Sequence, residues 1–305
     1  MNPVIIVIVV TVIHKGWSTA LSMWWKYEGF AGPDRWGEFW SMCRDGKQQS
    51  PININPEELL YDPNLKHLEI NPEHNINVNG ILENTENDIT FRLDDIAEQQ
   101  MNITQGPLSY VYRITELKLH YGSEDSIGSE HHIGGRSFPA ELQIMGYNAD
   151  LYRNFTEAMS GNKGLAIISV LIDIGDEINR AFDVFKRKFN SISQLRSQTK
   201  IHAFSIKGLL PPVETNYITY EGSLTQPGCQ ETATWIIYNK PVYFAQQQLL
   251  DLRAIVNQNW FHSNARRTMP LNQRVVRTNI NFRKKSRLCT MEREMRYQVN
   301  SLFQK

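Results

Sequence analysis

The stretch Arg113–Asn148, RITELKLHYGSEDSIGSEHHIGGRSFPAELQIMGYN, constrains this chain more than any other. It reads as two strands joined by a connection rich in Gly, Ser and Asp, the residues that favour turns. Strand side chains alternate between two faces. Ile114, Glu116, Lys118 and His120 are therefore expected on one face of the first strand, and Thr115, Leu117, Leu119 and Tyr121 on the other. In the second strand Leu142 and Ile144 oppose Glu141 and Gln143. Each strand has an apolar face suited to a core. Each also has a polar face that directs functional groups into one space, which marks a candidate site.

The rest of the 305-residue chain can bury a full core around that pair, since 41% of its residues are hydrophobic. A length of this order fits one large domain or two ordinary ones. Lys and Arg number 32, as do Asp and Glu, so neither nucleic acid nor an anionic membrane is expected as the main partner. The N-terminus carries an apolar run from Val4 to Ile13, broken only by Thr11, with small residues following at Ser18, Thr19, Ala20 and Ser22. The run is too short to span a bilayer comfortably. Residues 1–20 are expected to be a secretory signal cleaved near Ala20. The missing positive charge before the run leaves a short uncleaved anchor as the alternative. No second apolar run follows, so the mature chain is expected to be secreted, without a membrane span. Of Cys43, Cys229 and Cys289, two are expected to pair in an oxidising compartment, leaving one over. Sequons at Asn102-Ile-Thr and Asn154-Phe-Thr agree with secretion and predict two exposed N-glycosylation positions.

The aromatic segment from Trp24 to Trp40 is expected to pack as a surface cap on a β domain and not as a ligand cage. Segments of β character follow near 66–71, 76–82, 88–94, 109–121 and 139–148, separated by Asn, Gly, Asp and Pro. Residues 164–174, GLAIISVLIDI, suit a strand buried on both faces. From Glu177 to Lys200 the spacing of Ile178, Phe182, Phe185 and Phe189 predicts a helix. The region 217–243 returns to β, and Ala245 to Val256 has helical spacing. Together these predict one β-dominated α+β domain over residues 24–285, with a polar tail over 286–305 that holds Cys289.

The runs LHYGSEDSIGSEH, FPAELQI, YEGSLTQPGCQETATWIIYNKPV and PLNQRVVRTNINF, preceded by QSPININ, resemble the α-carbonic anhydrases. The resemblance covers nearly the whole domain in order. It implies peripheral helices around a central twisted, mostly antiparallel sheet of about ten strands, with an active-site cone cut into the sheet. In that family two histidines at i, i+2 on one strand and a third on the next hold zinc. Three neutral imidazoles leave a fourth position for water, whose pKa falls to about 7. The matching positions here are Lys118, His120 and Gln143.

That departure removes the chemistry. An ammonium has no lone pair, and a Lys⁺ about 4 Å from Zn²⁺ at an effective dielectric of 20 is repelled by roughly 8 kcal/mol. An amide oxygen is a poor zinc ligand beside imidazole. Zinc is therefore not expected as a cofactor. The resemblance also places Glu116 and Glu141 as groups that orient the ligands. It places Thr225 and Glu130 as the pair that orients bound hydroxide, Leu224 and Trp235 as pocket lining, and Asn87 near the proton-shuttle position. Lys118 is expected to pair with Glu116, Glu130 or another nearby carboxylate, partly replacing the charge of the missing metal. His131 and His132 as substitute ligands are the alternative. The resemblance favours His131 as a structural histidine bonded inside the fold.

This pattern is similar to the catalytically silent carbonic anhydrase-related branch, closest in that branch to the secreted related proteins X and XI. It implies a Cys43–Cys229 disulfide and a binding role with a neural cell-surface partner, neurexin-like, disulfide-linked through Cys289. Capping or burial of Cys289 is the alternative to such a link. The basic run beside it is expected to be a solvated turn more than a glycan site. An active zinc carbonate dehydratase with unorthodox ligands is the rival reading. No Ser-His-acid or Cys-His set is apparent that would suggest a hydrolase.

Overall fold

The computed structural model describes residues 25–71, 77–96, 99–211, 216–256 and 263–281. The expected signal, the tail and Cys289 lie outside them. The strands in chain order are β1 Asn53–Ile54, β2 Leu60–Tyr61, β3 Leu68–Asn71, β4 Asn77–Asn84, β5 Ile89–Leu93, β6 Asn102–Gln105, β7 Tyr112–Tyr121 and β8 His132–Ile133. They continue with β9 Ala140–Asn148, β10 Leu165–Gly175, β11 Gln198–Ser205, β12 Tyr217–Gly222, β13 Ala233–Tyr238, β14 Val242–Ala245 and β15 Arg277–Thr278. Among the described residues five α-helices, α1 Pro33–Phe39, α2 Ser41–Asp45, α3 Phe155–Ala158, α4 Arg180–Lys186 and α5 Gln246–Val256, lie between the strands.

Thirteen strands form one sheet. Its main path of ten runs β11-β4-β5-β7-β9-β10-β13-β12-β15-β2, with β3, β6 and β14 attached. Pairing is mostly antiparallel, but β10 runs parallel to β13 and β14, and β15 parallel to β2. As its largely apolar sequence predicts, β10 is buried on both faces. Ala166, Ile168, Val170 and Ile172 enter one core cluster, while Leu165, Ile167 and Leu171 enter a second on the opposite face. In the first cluster Phe182, Phe185 and Phe189 pack with Phe91, Phe204 and Phe244. Burying each such ring contributes roughly 1.5–3 kcal/mol.

The helix expected over 177–200 is shorter. The structure has α4, a 3₁₀ turn at Phe189–Ile192, and then β11, which pairs antiparallel with β4. Pairing with a distant strand overrides the local helical pattern once the phenylalanine stripe ends. Ile178 lies outside the helix and is exposed. The aromatic N-terminal segment caps the sheet as expected. Tyr27, Trp36, Cys43 and Cys229 form a small third cluster, with Trp25 and Trp40 packed against it. Cys43 and Cys229 are disulfide-bonded.

Candidate functional site

The site is built on the β7–β9 pair. Lys118 stands opposite Gln143 in the register, and His120 opposite Glu141. One expectation fails at the start of β7. The register shifts between Ile114 and Glu116, so Thr115 is an extra residue. Such a bulge flips the alternation. Ile114 therefore joins Leu117, Leu119 and Tyr121 in the core, not the face of Glu116, Lys118 and His120.

The Lys118 ammonium donates to Gln226 Oε1 at 2.8 Å and lies 3.5 Å from Glu116 Oε1 and 3.8 Å from Asp88 Oδ2. Gln226 Nε2 donates to Asp88 Oδ2 at 2.9 Å, closing a polar ring that is buried at Asp88 and half-buried at Lys118 and Gln226. Beyond it Arg92 joins Glu116 to Glu83, carrying alternating charge toward the surface. Burial by itself would lower the Lys118 pKa, but Glu116 and Asp88 outweigh it and hold the group above its ordinary value. Burial would likewise raise Asp88, but the Lys118 charge and the Thr90 and Thr85 hydroxyls hold it below the ordinary carboxylate range. The expected partner Glu116 is present, Glu130 is not, and Asp88 is the additional carboxylate.

His120 is fully buried. Its Nδ1 faces the Asn264 carbonyl at 2.7 Å and must carry the proton there, because a carbonyl only accepts. Nε2 is left buried without a hydrogen bond, 3.6 Å from Glu130 Oε2. The Tyr27 ring meets the imidazole edge-on at 6.0 Å, so the aromatic cap closes over the site. Gln143 Nε2 donates to Glu130 Oε2 at 2.7 Å and to Glu141 Oε1 at 3.1 Å. Glu141 also accepts from Ser169 at 2.8 Å and from His131. His131 Nε2 reaches Tyr220 at 2.7 Å, so this histidine is held inside the fold and is not turned toward the Lys118 pocket.

Zinc needs several lone pairs aimed at one point. This set offers His120 Nε2, while Lys118 and Gln143 present N–H donors to carboxylates and an amide oxygen. Among the described residues no group of three or more His, Cys, Asp or Glu is placed to hold a metal ion.

The structure also places the other residues expected at the site. Glu130 accepts from Gln143 and from the Arg266 amide at 3.0 Å, and the Thr225 hydroxyl is not among its partners. The turn before β5 delivers Asp88, the neighbour of Asn87, and the Asp88 carboxylate joins the cluster. Asn102 is half-buried in a strand paired on both sides, with its Oδ1 buried, whereas Asn154 is exposed. Leu224 and Trp235 are both buried, and Trp235 packs on the His131 ring at 4.6 Å.

Asp88, Gln226, Tyr27, Asn264 and Arg266 were not singled out from the sequence as parts of this site. Arg266 spans site and cap. Its amide reaches Glu130, its guanidinium reaches Gln49 and the Ser50 carbonyl, and it lies over Trp36. Burial pushes its pKa down to about 10. Gln226 and Asp88 gave the nearest signal in the sequence, as neighbours of Thr225 and Asn87.

The sheet, with its ten-strand main path, carries this polar pocket on the β7–β9 pair. The sequence matches the eukaryotic-type carbonic anhydrase family over residues 31–280, and the chain belongs to that family. It is similar to carbonic anhydrase-like protein 2 of Caenorhabditis elegans, at 38% identity over 90% of this chain and 86% of the relative. It is also similar to carbonic anhydrase-like protein 1 of the same organism, at 31% identity over 84% of this chain and 90% of the relative.

Proposed function

We propose that this chain is a secreted, catalytically silent carbonic anhydrase-related protein that acts by binding a partner at the cell surface. The observation that carries the reading is Lys118. An ammonium sits at a ligand position of the family, held by Gln226, Glu116 and Asp88. It supplies positive charge to the carboxylates around it and no lone pair for a metal. Zinc is no part of this function. Elemental analysis of the purified protein, with a CO₂ hydration assay, tests it. Stoichiometric zinc with measurable hydration overturns it.

The rival, a zinc hydratase with unorthodox ligands, draws on one feature, the buried His120 Nε2 without a hydrogen bond. The same measurement separates the two.

Secretion is supported by the Cys43–Cys229 disulfide, since such bonds persist in oxidising compartments. No described helix is long and apolar enough to cross a membrane. The partner proposed is a neurexin-like cell-surface protein joined through Cys289. Non-reducing electrophoresis of the wild type and of Cys289→Ser checks this. A wild type without any thiol-sensitive adduct counts against it.

A further inference from the structure

A surface groove of about 150 Å³ lies beside Asn154, which forms part of its wall. That is smaller than the roughly 300–1,000 Å³ of pockets for drug-sized ligands, and it suits a single ring. Its charges, Asp94 and Asp95 against Arg113 and Arg153, balance, which favours an uncharged polar occupant. Tyr147 and Phe155 supply apolar surface. Arg113 Nε is buried with no hydrogen-bond partner, and a buried donor in that state calls for an acceptor.

Asn154 is exposed and fixed in place. Its Oδ1 accepts from the Glu157 amide at 2.9 Å, capping α3. Its amide nitrogen, the atom a glycan joins, donates to none of the described residues. The sequon Asn154-Phe155-Thr156 thus opens onto a groove of complementary character.

We propose that this groove seats the first N-acetylglucosamine of an N-linked glycan on Asn154. The sugar hydroxyls meet the polar wall, and its acetamide carbonyl is the acceptor for Arg113. Asn102, half-buried in a strand paired on both sides, is expected to carry no glycan. The inference rests on the reading that the chain enters the secretory pathway.

The test is secretion from eukaryotic cells behind a heterologous leader, followed by mass spectrometry and native digestion with an amidase that cleaves the Asn–sugar bond. Asn154 is expected to be occupied and Asn102 empty. Release from the native wild type should be at least tenfold slower than from Arg113→Gln or from the exposed-site variant Arg153→Gln, and rapid from all three once denatured. An unmodified Asn154, or native release as fast from the wild type as from folded Arg153→Gln, overturns the proposal. A parallel culture uses the chain's own first residues. If that arm alone fails to secrete, the secretion reading falls while the groove assignment stands.

Discussion

Glu141 accepts both the main-chain amide and the ring Nδ1–H of His131, at 2.8 and 2.9 Å. Burial alone would raise this carboxyl, but His131 outweighs it and the pKa lies at about 2, below the ordinary 4.5. A depressed folded-state pKa contributes stability that is complete above the unfolded value and is lost as pH falls through the folded one. Glu141→Gln is expected to cost roughly 3–5 kcal/mol at pH 7, the range for breaking a buried charged set. In urea unfolding the gap to the wild type should shrink between pH 4.5 and 2. A gap independent of pH would sink this assignment.

Lys118→Met should leave Asp88 buried without its counter-charge, at a cost of roughly 3–5 kcal/mol at neutral pH. Asp88 is depressed below 3.8, so its part is present above that pH and lost below it. Lys118 is raised above 10.5, so its part is present below that pH and lost as the medium becomes more alkaline. The destabilisation should therefore be widest between about pH 4 and pH 10. Unchanged stability across that window removes Lys118 from its proposed role as replacement charge.

Lys118→His with Gln143→His places two imidazoles opposite each other on the β7–β9 pair, beside His120. His120 already presents a buried Nε2 without a hydrogen bond. Bound zinc, measured by elemental analysis, is expected to rise toward one ion per chain in the double variant. No gain in a folded double variant means that the pocket, closed by Tyr27 and Gln226, no longer has the geometry of a metal site.

The Cys43–Cys229 bridge closes a loop with a sequence separation of 186 and ties the aromatic cap to the sheet. By loop-closure entropy its removal costs roughly 5 kcal/mol. Cys43→Ser with Cys229→Ser should lower the unfolding midpoint accordingly. It should also raise Tyr27 and Trp36 exposure, read by fluorescence quenching. An intact cap in the variant would show that Arg266 and Trp36 hold it without the bridge.

Much of the site was legible because it lies on two strands. Period-two alternation placed Glu116, Lys118 and His120 together, and Glu141 with Gln143. The family resemblance then implied which of these positions correspond to zinc ligands in active members. Alternation failed only at Thr115, where one extra residue moves Ile114 to the core face. Nothing local marks a bulge there, since its cause is the pairing partner. The strand β11 was missed for a related reason: residues 198–205 become a strand only against β4.

What the sequence by itself determined is the chemistry available at each position. Lys118 brings an ammonium and Gln143 an amide to the opposed β7–β9 pair, a property of side-chain identity that no packing changes. What only the tertiary structure decided is the company these groups keep. Gln226 lies 108 positions from Lys118 and still accepts its closest hydrogen bond. Asp88 arrives from the turn before β5, and Tyr27 from the cap. Sheet order and burial set those meetings, because a buried charge settles only where distant strands deliver its partners.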